Sequence, residues 1–236
     1  MDETQIKRSL DIFWNGRIVG RYDLLDDGSE LFSYDGSYLE SADAAPVSHS
    51  LPLRADPYGK RRIHQEDFCQ ALGRPPEQKY QSDGGPLARE IVRLIRDGWS
   101  TTPAKDVLAF VDLVVFNAII GNADAHGKNY SMLYDGRIRR LAPGYDLVST
   151  VFWPALASAP AMKIGGSDSI NSILSGHWRK FAQETGVSFA ALRLRIKHLC
   201  TAVASQTCAA LAIPQECECV LAIVRERAER LKTYSE

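Results

Sequence analysis

Residues 122–129 place five polar side chains in eight positions, immediately after an almost wholly apolar segment. Asp124 and Asn129 stand five positions apart in this loop, and Asp146 follows later, next to Tyr145. Phosphoryl transfer uses a carboxylate to accept the proton of the attacking hydroxyl, and an amide and a second carboxylate to hold Mg²⁺ on the phosphates. The residue types therefore predict a phosphoryl-transfer site, with Asp124 as the catalytic base and Asn129 and Asp146 as oxygen ligands of Mg²⁺.

Two further side chains of the loop belong to the same predicted catalytic site. Lys128 could neutralise charge on the transferred phosphoryl group. His126 is expected to brace the loop by hydrogen bonds rather than to titrate in the reaction. Protein kinases use the same spacing between a catalytic Asp and a metal-binding Asn. Two other interpretations stay open: these polar residues shape a turn at a helix end, or they bind another metal.

A helix over about 104–120 is predicted to lead into the loop. Thr102 and Pro103 fit its N-cap and its first helical position. The segment is apolar nearly all round, which is typical of a central, buried helix. A hairpin with an Asp-Gly turn follows the loop, over residues 130–141. Buried helix, polar loop, hairpin and then Asp146 is the order of a kinase C-lobe, in which the hairpin brings a metal-binding Asp back beside the catalytic loop.

The N-terminal part favours strands. Residues 10–14 and 17–22 flank an Asn-Gly turn and predict a hairpin. A third strand is predicted over 31–34, closed by a turn at Asp35, and a short extended segment over 48–53. Elsewhere the pattern favours helices, apart from a turn-rich loop at 80–86. The helices are predicted over 64–72 ending at Gly73, over 87–96, and over most of 167–235 with starts at Ser188 and Pro214.

Composition excludes several broad classes. The net charge of −1 and the pI near 6.5 give no electrostatic case for nucleic-acid binding, and the basic clusters at 137–140 and 193–198 fit solvated faces. The start has no apolar stretch typical of a signal peptide, and the longest apolar run, 107–120, is interrupted by Asp112 and Asn117, so no membrane helix is expected. Five cysteines show no zinc-binding spacing. We expect a reduced, cytoplasmic protein.

Residues 112–129 and 141–149 resemble the catalytic and metal-binding loops of the HipA-type serine/threonine kinases. These kinases are toxins of type II toxin–antitoxin modules, associated with bacterial persistence. The segments 64–70, 80–86 and 162–166 agree with the same family, and the start resembles its small N-terminal domain at 15–16, 19–20, 39–41 and 50–54. The resemblance implies ATP and Mg²⁺ as cofactors, Asp124 as base, and Asn129 and Asp146 as metal ligands.

The family's nucleotide-binding lobe is missing from the sequence. In the family it stands between the segments matched here by 50–54 and 64–70, and it supplies a Gly-rich loop and a phosphate-binding lysine. Only residues 55–63 lie between them in this chain, and no Gly-rich loop or Walker sequence replaces the lobe elsewhere. Because those groups provide much of the electrostatic stabilisation of phosphoryl transfer, we expect the chain alone to have little or no kinase activity.

The expected fold is therefore α+β, with a small N-terminal β domain over residues 1–60 and a mainly helical, kinase-like C-terminal lobe over 61–236. By resemblance the partners are a DNA-binding antitoxin of the HipB type and a protein substrate such as a tRNA synthetase. Three alternatives stay open: a non-catalytic remnant that binds the antitoxin or a full-length kinase, a small-molecule phosphotransferase, and a purely structural domain.

Overall fold

The computed structural model describes residues 5–14, 16–26, 28, 30–41, 44, 60–135, 137–209 and 215–233. The chain is α+β and divides into two compact units, Met1–His64 and Gln65–Glu236. The division after His64 lies four residues beyond the domain boundary predicted after residue 60. The extended segment predicted over 48–53 lies outside the described residues.

The first unit holds an antiparallel sheet of four strands. Its order is β1 (Ile6–Trp14), β2 (Arg17–Leu25), β3 (Glu30–Tyr34) and β4 (Lys60–Arg62). The first predicted hairpin is confirmed, since Trp14 pairs with Arg17, and so is the third strand. The turn predicted at Asp35 instead begins a short helix, α1 (Gly36–Leu39). The Asp35 carboxylate accepts hydrogen bonds from the backbone N–H groups of Ser37 and Tyr38, which makes it an N-cap.

A second sheet, which apart from His64 belongs to the second unit, has three strands in the order β5 (His64–Asp67), β6 (Ser131–Asp135) and β7 (Ile138–Leu141). The predicted second hairpin is confirmed by the antiparallel pairing of β6 with β7. The helix predicted over 64–72 is wrong in its first half, where β5 joins the sheet, and the helix α2 is confined to Phe68–Ala71. Asp67 sets this start, because its carboxylate caps Gln70 N–H while the Gln70 side chain caps Asp67 N–H.

Helices make up the rest of the second unit. They are α3 (Ala88–Leu94) with a π-helical turn at Ile95–Trp99, α4 (Pro103–Ile120), α5 (Ser175–Thr185), α6 (Phe189–Ala209) and α7 (Gln215–Thr233), with 3₁₀ turns at Gln81–Asp83, Gly127–Asn129 and Thr150–Phe152. None of the helices in the described ranges is both long enough and apolar enough to cross a membrane.

The helix α4 is the central helix of this unit, as predicted. Val111, Val115 and Ala118 are among its fully buried residues, and α6, α7 and β7 pack around it. Pro103 takes the first helical position, but the Thr102 side chain makes no capping bond. Instead the Ser100 hydroxyl accepts from Thr102 N–H at 2.8 Å. A well-packed α4 fixes the point from which the polar loop departs.

Candidate functional site

Arg227 of α7 and Gly121 define where α4 ends and the polar loop begins. Gly121 adopts a left-handed conformation with φ of 74°, the usual way to end a helix. The buried Arg227 guanidinium donates to the carbonyl of Ala118, in the last turn of α4, at 2.8 Å and to the carbonyl of Ile170 at 2.9 Å. Burial lowers the pKa of Arg227 to about 10. The loop therefore starts from a helix end whose last carbonyls are held by a neighbouring helix.

Asn122 anchors the loop to both α4 and the segment that carries Asp146. Its side-chain amide donates to Asn117 Oδ1 at 2.9 Å and to the backbone carbonyl of Asp146 at 3.1 Å. Its Oδ1 accepts from the backbone N–H of Asp124 at 3.1 Å. One buried amide thus fixes the main chain at both predicted carboxylates, which explains why an Asn at this position is structural.

The predicted metal ligands Asn129 and Asp146 lie in direct contact. The Asn129 amide donates a hydrogen bond to the Asp146 carboxylate, and its Oδ1 accepts from His126 N–H at 3.0 Å. Asp146 has φ of 55°, a left-handed conformation that costs energy in residues other than glycine, and residues in such conformations cluster at functional sites. In this arrangement Asn129 Nδ2 faces the Asp146 carboxylate and Oδ1 faces His126 N–H, so the amide would have to turn to present its oxygen to a hard cation held by Asp146.

Tyr145 ties the Asp146 segment to the hairpin. Its hydroxyl donates to the Lys128 carbonyl at 2.5 Å and is hydrogen-bonded to the Ser131 hydroxyl, which also accepts from Gln65 of β5 at 3.0 Å. Burial raises the pKa of Tyr145. The strands β5 and β6 and two loops therefore converge beside Asn129 and Asp146.

Asp124 is the exposed residue of an otherwise buried stretch. Ala123 and Ala125 on either side are buried, and the Ala123 backbone is bonded on both sides, to the Thr150 hydroxyl at 2.8 Å and to Ala161 N–H at 2.7 Å. The backbone carbonyl of Asp124 accepts from His126 N–H at 2.8 Å. A fixed main chain with a solvent-accessible carboxylate is the arrangement a general base needs to meet a substrate hydroxyl.

His126 is buried, and its backbone, rather than its ring, makes the hydrogen bonds that brace the loop. The ring packs edge-to-face on Tyr80 with the centroids 5.5 Å apart, and Nδ1 has no hydrogen-bond partner among the described residues. Burial, and then the charge of Lys79, lower the pKa of His126. A lowered pKa favours the neutral imidazole, and it stays a prediction that His126 does not titrate in the reaction.

Lys128 and Lys79 place two cations around the loop. The Lys128 side chain is half-buried, and its charge acts on the Cys69 thiol, whose pKa burial raises. Lys79 was missed by sequence reasoning, although it directly precedes the turn-rich segment 80–86. Its carbonyl accepts from Gly127 N–H at 3.3 Å. A hydrogen bond with Tyr80 raises the pKa of Lys79, and the charges of Asp124 and Asp146 raise it further.

Residues 79–86 pack tightly against the loop at Gly127. A Cβ atom on Gly127 would stand 2.6 Å from Pro86 Cγ and 3.0 Å from Cys69 Sγ, so only glycine fits there without movement of its neighbours. This packing follows from distant parts of the chain, and no local sequence signal reveals it.

Comparisons with known proteins identify relatives of this chain. A family model described as "HipA-like C-terminal domain" matches residues 41–208. "Putative kinase Y4mE" of Sinorhizobium fredii is 50% identical over 138 residues, and "Serine/threonine-protein kinase toxin HipA" of Shewanella oneidensis is 35% identical over 143. These matches cover 58% and 55% of this chain but only 33% of each relative.

A solved structure has the same fold as the whole chain. It is HipA of Shewanella oneidensis, in a complex with HipB and its operator DNA; the TM-score is 0.67 over 100% of this chain and 66% of that one, at 20% sequence identity. At that identity the likeness concerns the fold. The chain thus spans about a third of the curated relatives it matches and about two thirds of the solved structure.

Proposed function

Because this chain belongs to the family of proteins with a HipA-like C-terminal domain, we propose that it carries the catalytic and magnesium-binding half of a serine/threonine protein kinase. The observation that carries the proposal is the contact of Asn129 with Asp146 beside the exposed carboxylate of Asp124. The reaction would transfer the γ-phosphoryl group of ATP to a hydroxyl of a protein substrate.

Each side chain has a role that its surroundings support. Asp124, with a fixed backbone and an accessible carboxylate, accepts the proton of the substrate hydroxyl. Asn129 and Asp146 hold Mg²⁺, which neutralises charge on the phosphates. Lys128 adds positive charge at the phosphoryl group, and neutral His126 keeps the loop in shape.

The two ligands Asn129 and Asp146 suit Mg²⁺ better than they suit a metal ion whose ligands all come from the protein. Within the described parts of the chain, no three His, Cys, Asp or Glu side chains are grouped to hold a metal. Mg²⁺ is usually held by one or two carboxylates together with phosphates and water. Asn129 and Asp146 would supply the protein's share of such a site.

We further propose that the chain alone has little or no kinase activity. Only nine residues, 55–63, separate the two segments that flank the nucleotide-binding lobe in the family. Without that lobe the phosphates are held from the magnesium side only, and the lost contacts each stabilise the transition state by several kcal/mol. The partner would be a DNA-binding antitoxin of the HipB type, the substrate a protein such as a tRNA synthetase, and the location the cytoplasm.

Metal binding provides the direct test. We expect Mn²⁺, as a paramagnetic substitute for Mg²⁺, to bind the purified chain and enhance the relaxation of water protons. Asp146→Asn should weaken this binding by tenfold or more, because a carboxylate ligand is lost. Asp97→Asn is the matched control, since it removes an exposed carboxylate before the start of α4. Equal binding by the wild type and Asp146→Asn would refute the metal site.

A kinase assay with γ-labelled ATP tests the catalytic half of the proposal. We expect no or barely detectable transfer to a protein substrate. Robust transfer that Asp124→Ala abolishes would show a working kinase and contradict the expected loss of activity. Robust transfer that survives Asp124→Ala would refute the role of Asp124.

The shortness of residues 55–63 also favours a second candidate, a non-catalytic module that binds the antitoxin or a full-length kinase. Binding to a small helix-turn-helix protein, measured by pull-down, should then be the same for the wild type and Asp124→Ala. Loss of binding in the variant would argue against it.

A further inference from the structure

Lys79 lies on a segment that is packed tightly against the predicted catalytic loop. Its carbonyl accepts from Gly127 N–H, and Pro86 on the same segment occupies the space where a Gly127 side chain would be. The segment is also tied to the stretch beyond Asp146, because Gln81 N–H donates to the Ala161 carbonyl at 2.8 Å. The backbone of Lys79 is therefore fixed relative to the loop.

The ammonium group of Lys79 is directed by an aromatic ring. Its Nζ lies 4.8 Å from the centroid of the Tyr80 ring, within the range of a favourable cation–π contact. That ring in turn packs edge-to-face on His126. Tyr80 thus holds the cation on the side of the segment that faces the catalytic loop.

The charge of Lys79 interacts electrostatically with charged residues of the predicted site. Asp124 and Asp146 both act on Lys79, and Lys79 acts on His126. Yet no carboxylate in the described part of the chain lies within salt-bridge distance of its Nζ. A cation whose charge interacts with those of two carboxylates, but which is bonded to neither, is available for an incoming anion.

We propose that Lys79 binds the phosphate oxygens of the magnesium-bound nucleotide. It would supply from the C-terminal lobe the positive charge that a lysine of the nucleotide-binding lobe supplies in the family. This inference rests on the proposed function, since it needs Mg²⁺ at Asn129 and Asp146. Lys79 and Mg²⁺ would then approach the same phosphates from two sides, which neutralises more of their charge than either does alone.

Titration calorimetry with magnesium tripolyphosphate tests the phosphate contact without a nucleotide-binding lobe. Lys79→Ala should weaken binding on the order of tenfold or more, because a charge-assisted hydrogen bond to phosphate is lost. Lys79→Arg should keep most of the affinity, since it keeps the charge. Lys105→Ala removes an equal charge at the other end of α4, about 24 Å from Gly121 at the helical rise per residue, and should have no effect.

Mn²⁺ binding in the absence of phosphate gives a result of opposite sign. Removing the Lys79 cation lowers the repulsion on a metal ion beside Asp146, so Lys79→Ala should bind Mn²⁺ about two- to fivefold more tightly. A variant that is merely misfolded would bind both ligands more weakly. Tighter Mn²⁺ binding with weaker tripolyphosphate binding is therefore the expected pattern.

Three outcomes overturn the inference, and they can be told apart. Equal tripolyphosphate affinity of the wild type and Lys79→Ala would refute the role of Lys79. If the wild type binds Mn²⁺ but no tripolyphosphate, the inference fails while the metal site of the proposed function stands. If the wild type binds neither, the proposed function fails, and the inference with it.

Discussion

The two hairpins of this chain have similar local sequences and very different surroundings. In both, the strands are separated by two residues of which one is a glycine, at positions 15–16 and 136–137. All but one residue of β1 are exposed, and the exception is half-buried. In β6, Ser131 and Met132 are buried, and α4 packs against its partner strand β7. A turn signal thus predicts that two strands pair, whereas their burial depends on what packs against them.

Burial matters because the second hairpin sets the geometry of the predicted site. Asn129 precedes β6, and Asp146 follows β7, so the pairing of these two strands decides whether the two side chains meet. Ser131 at the start of β6 also takes part in the hydrogen bonds of Tyr145. The first hairpin carries none of the predicted site residues.

The largest expected difference between the hairpins is the cost of truncating an apolar side chain. Met132 is 0% exposed and Leu10 is 61% exposed. Met132→Ala should lower the free energy of unfolding by about 2–5 kcal/mol, because it leaves a cavity in a packed core. Leu10→Ala should change it by less than about 0.5 kcal/mol.

Urea unfolding followed by far-ultraviolet circular dichroism measures this difference, since the signal comes mainly from the helices of the second unit. Equal losses in the two variants would mean that the exposed face of β1 contributes to the stability of the whole chain, which would remove the contrast.

The same contrast explains what could be predicted from the sequence. The dipeptide turns, the apolar run of α4 and the polar loop are local signals, and the structure contains the corresponding elements. The strand β5 was mistaken for the start of a helix because its place in the sheet depends on residues far along the chain, such as Ser131, which pairs with Gln65. Lys79 was missed for the same reason, since only the fold brings it to Gly127.

A second, smaller effect should appear at high pH in Tyr130, directly before β6, and in Tyr134 within it. Burial raises the pKa of Tyr130 and of Tyr134, and a hydrogen bond to Glu66 raises that of Tyr134 further. In the unfolded chain a tyrosine ionises near pH 10. Above that pH the unfolded state loses protons that the native state keeps, so stability falls as the pH rises.

Between pH 10 and its raised native pKa, the buried Tyr130 should lower the free energy of unfolding by about 1.4 kcal/mol per pH unit, and the half-buried Tyr134 by less because solvent screens it. Tyr134→Phe should remove one tyrosine's share of this slope while the slope below pH 9 stays as it was. Urea unfolding at a series of pH values measures it. An unchanged slope in Tyr134→Phe would mean that this hydroxyl ionises as readily in the native state as in the unfolded chain.

The smallest expected difference concerns one ion pair from each unit. Two nitrogen atoms of Arg195 on α6 donate hydrogen bonds to the Asp112 carboxylate on α4, and Arg195 Nε lies 2.8 Å from Asp112 Oδ1. Arg21 of β2 meets Asp11 of β1 through a single contact of 3.2 Å on an exposed surface. A bidentate, partly buried pair keeps more of its attraction than an exposed one, which water and salt screen.

Double-mutant cycles with Asp→Asn and Arg→Gln variants should give a coupling energy of about 1 kcal/mol for Arg195 with Asp112, and about 0.3 kcal/mol or less for Arg21 with Asp11. Because Asp112 lies on the helix that ends at the predicted catalytic loop, an equally weak coupling for both pairs would show that packing alone, and not this ion pair, fixes α4 against α6.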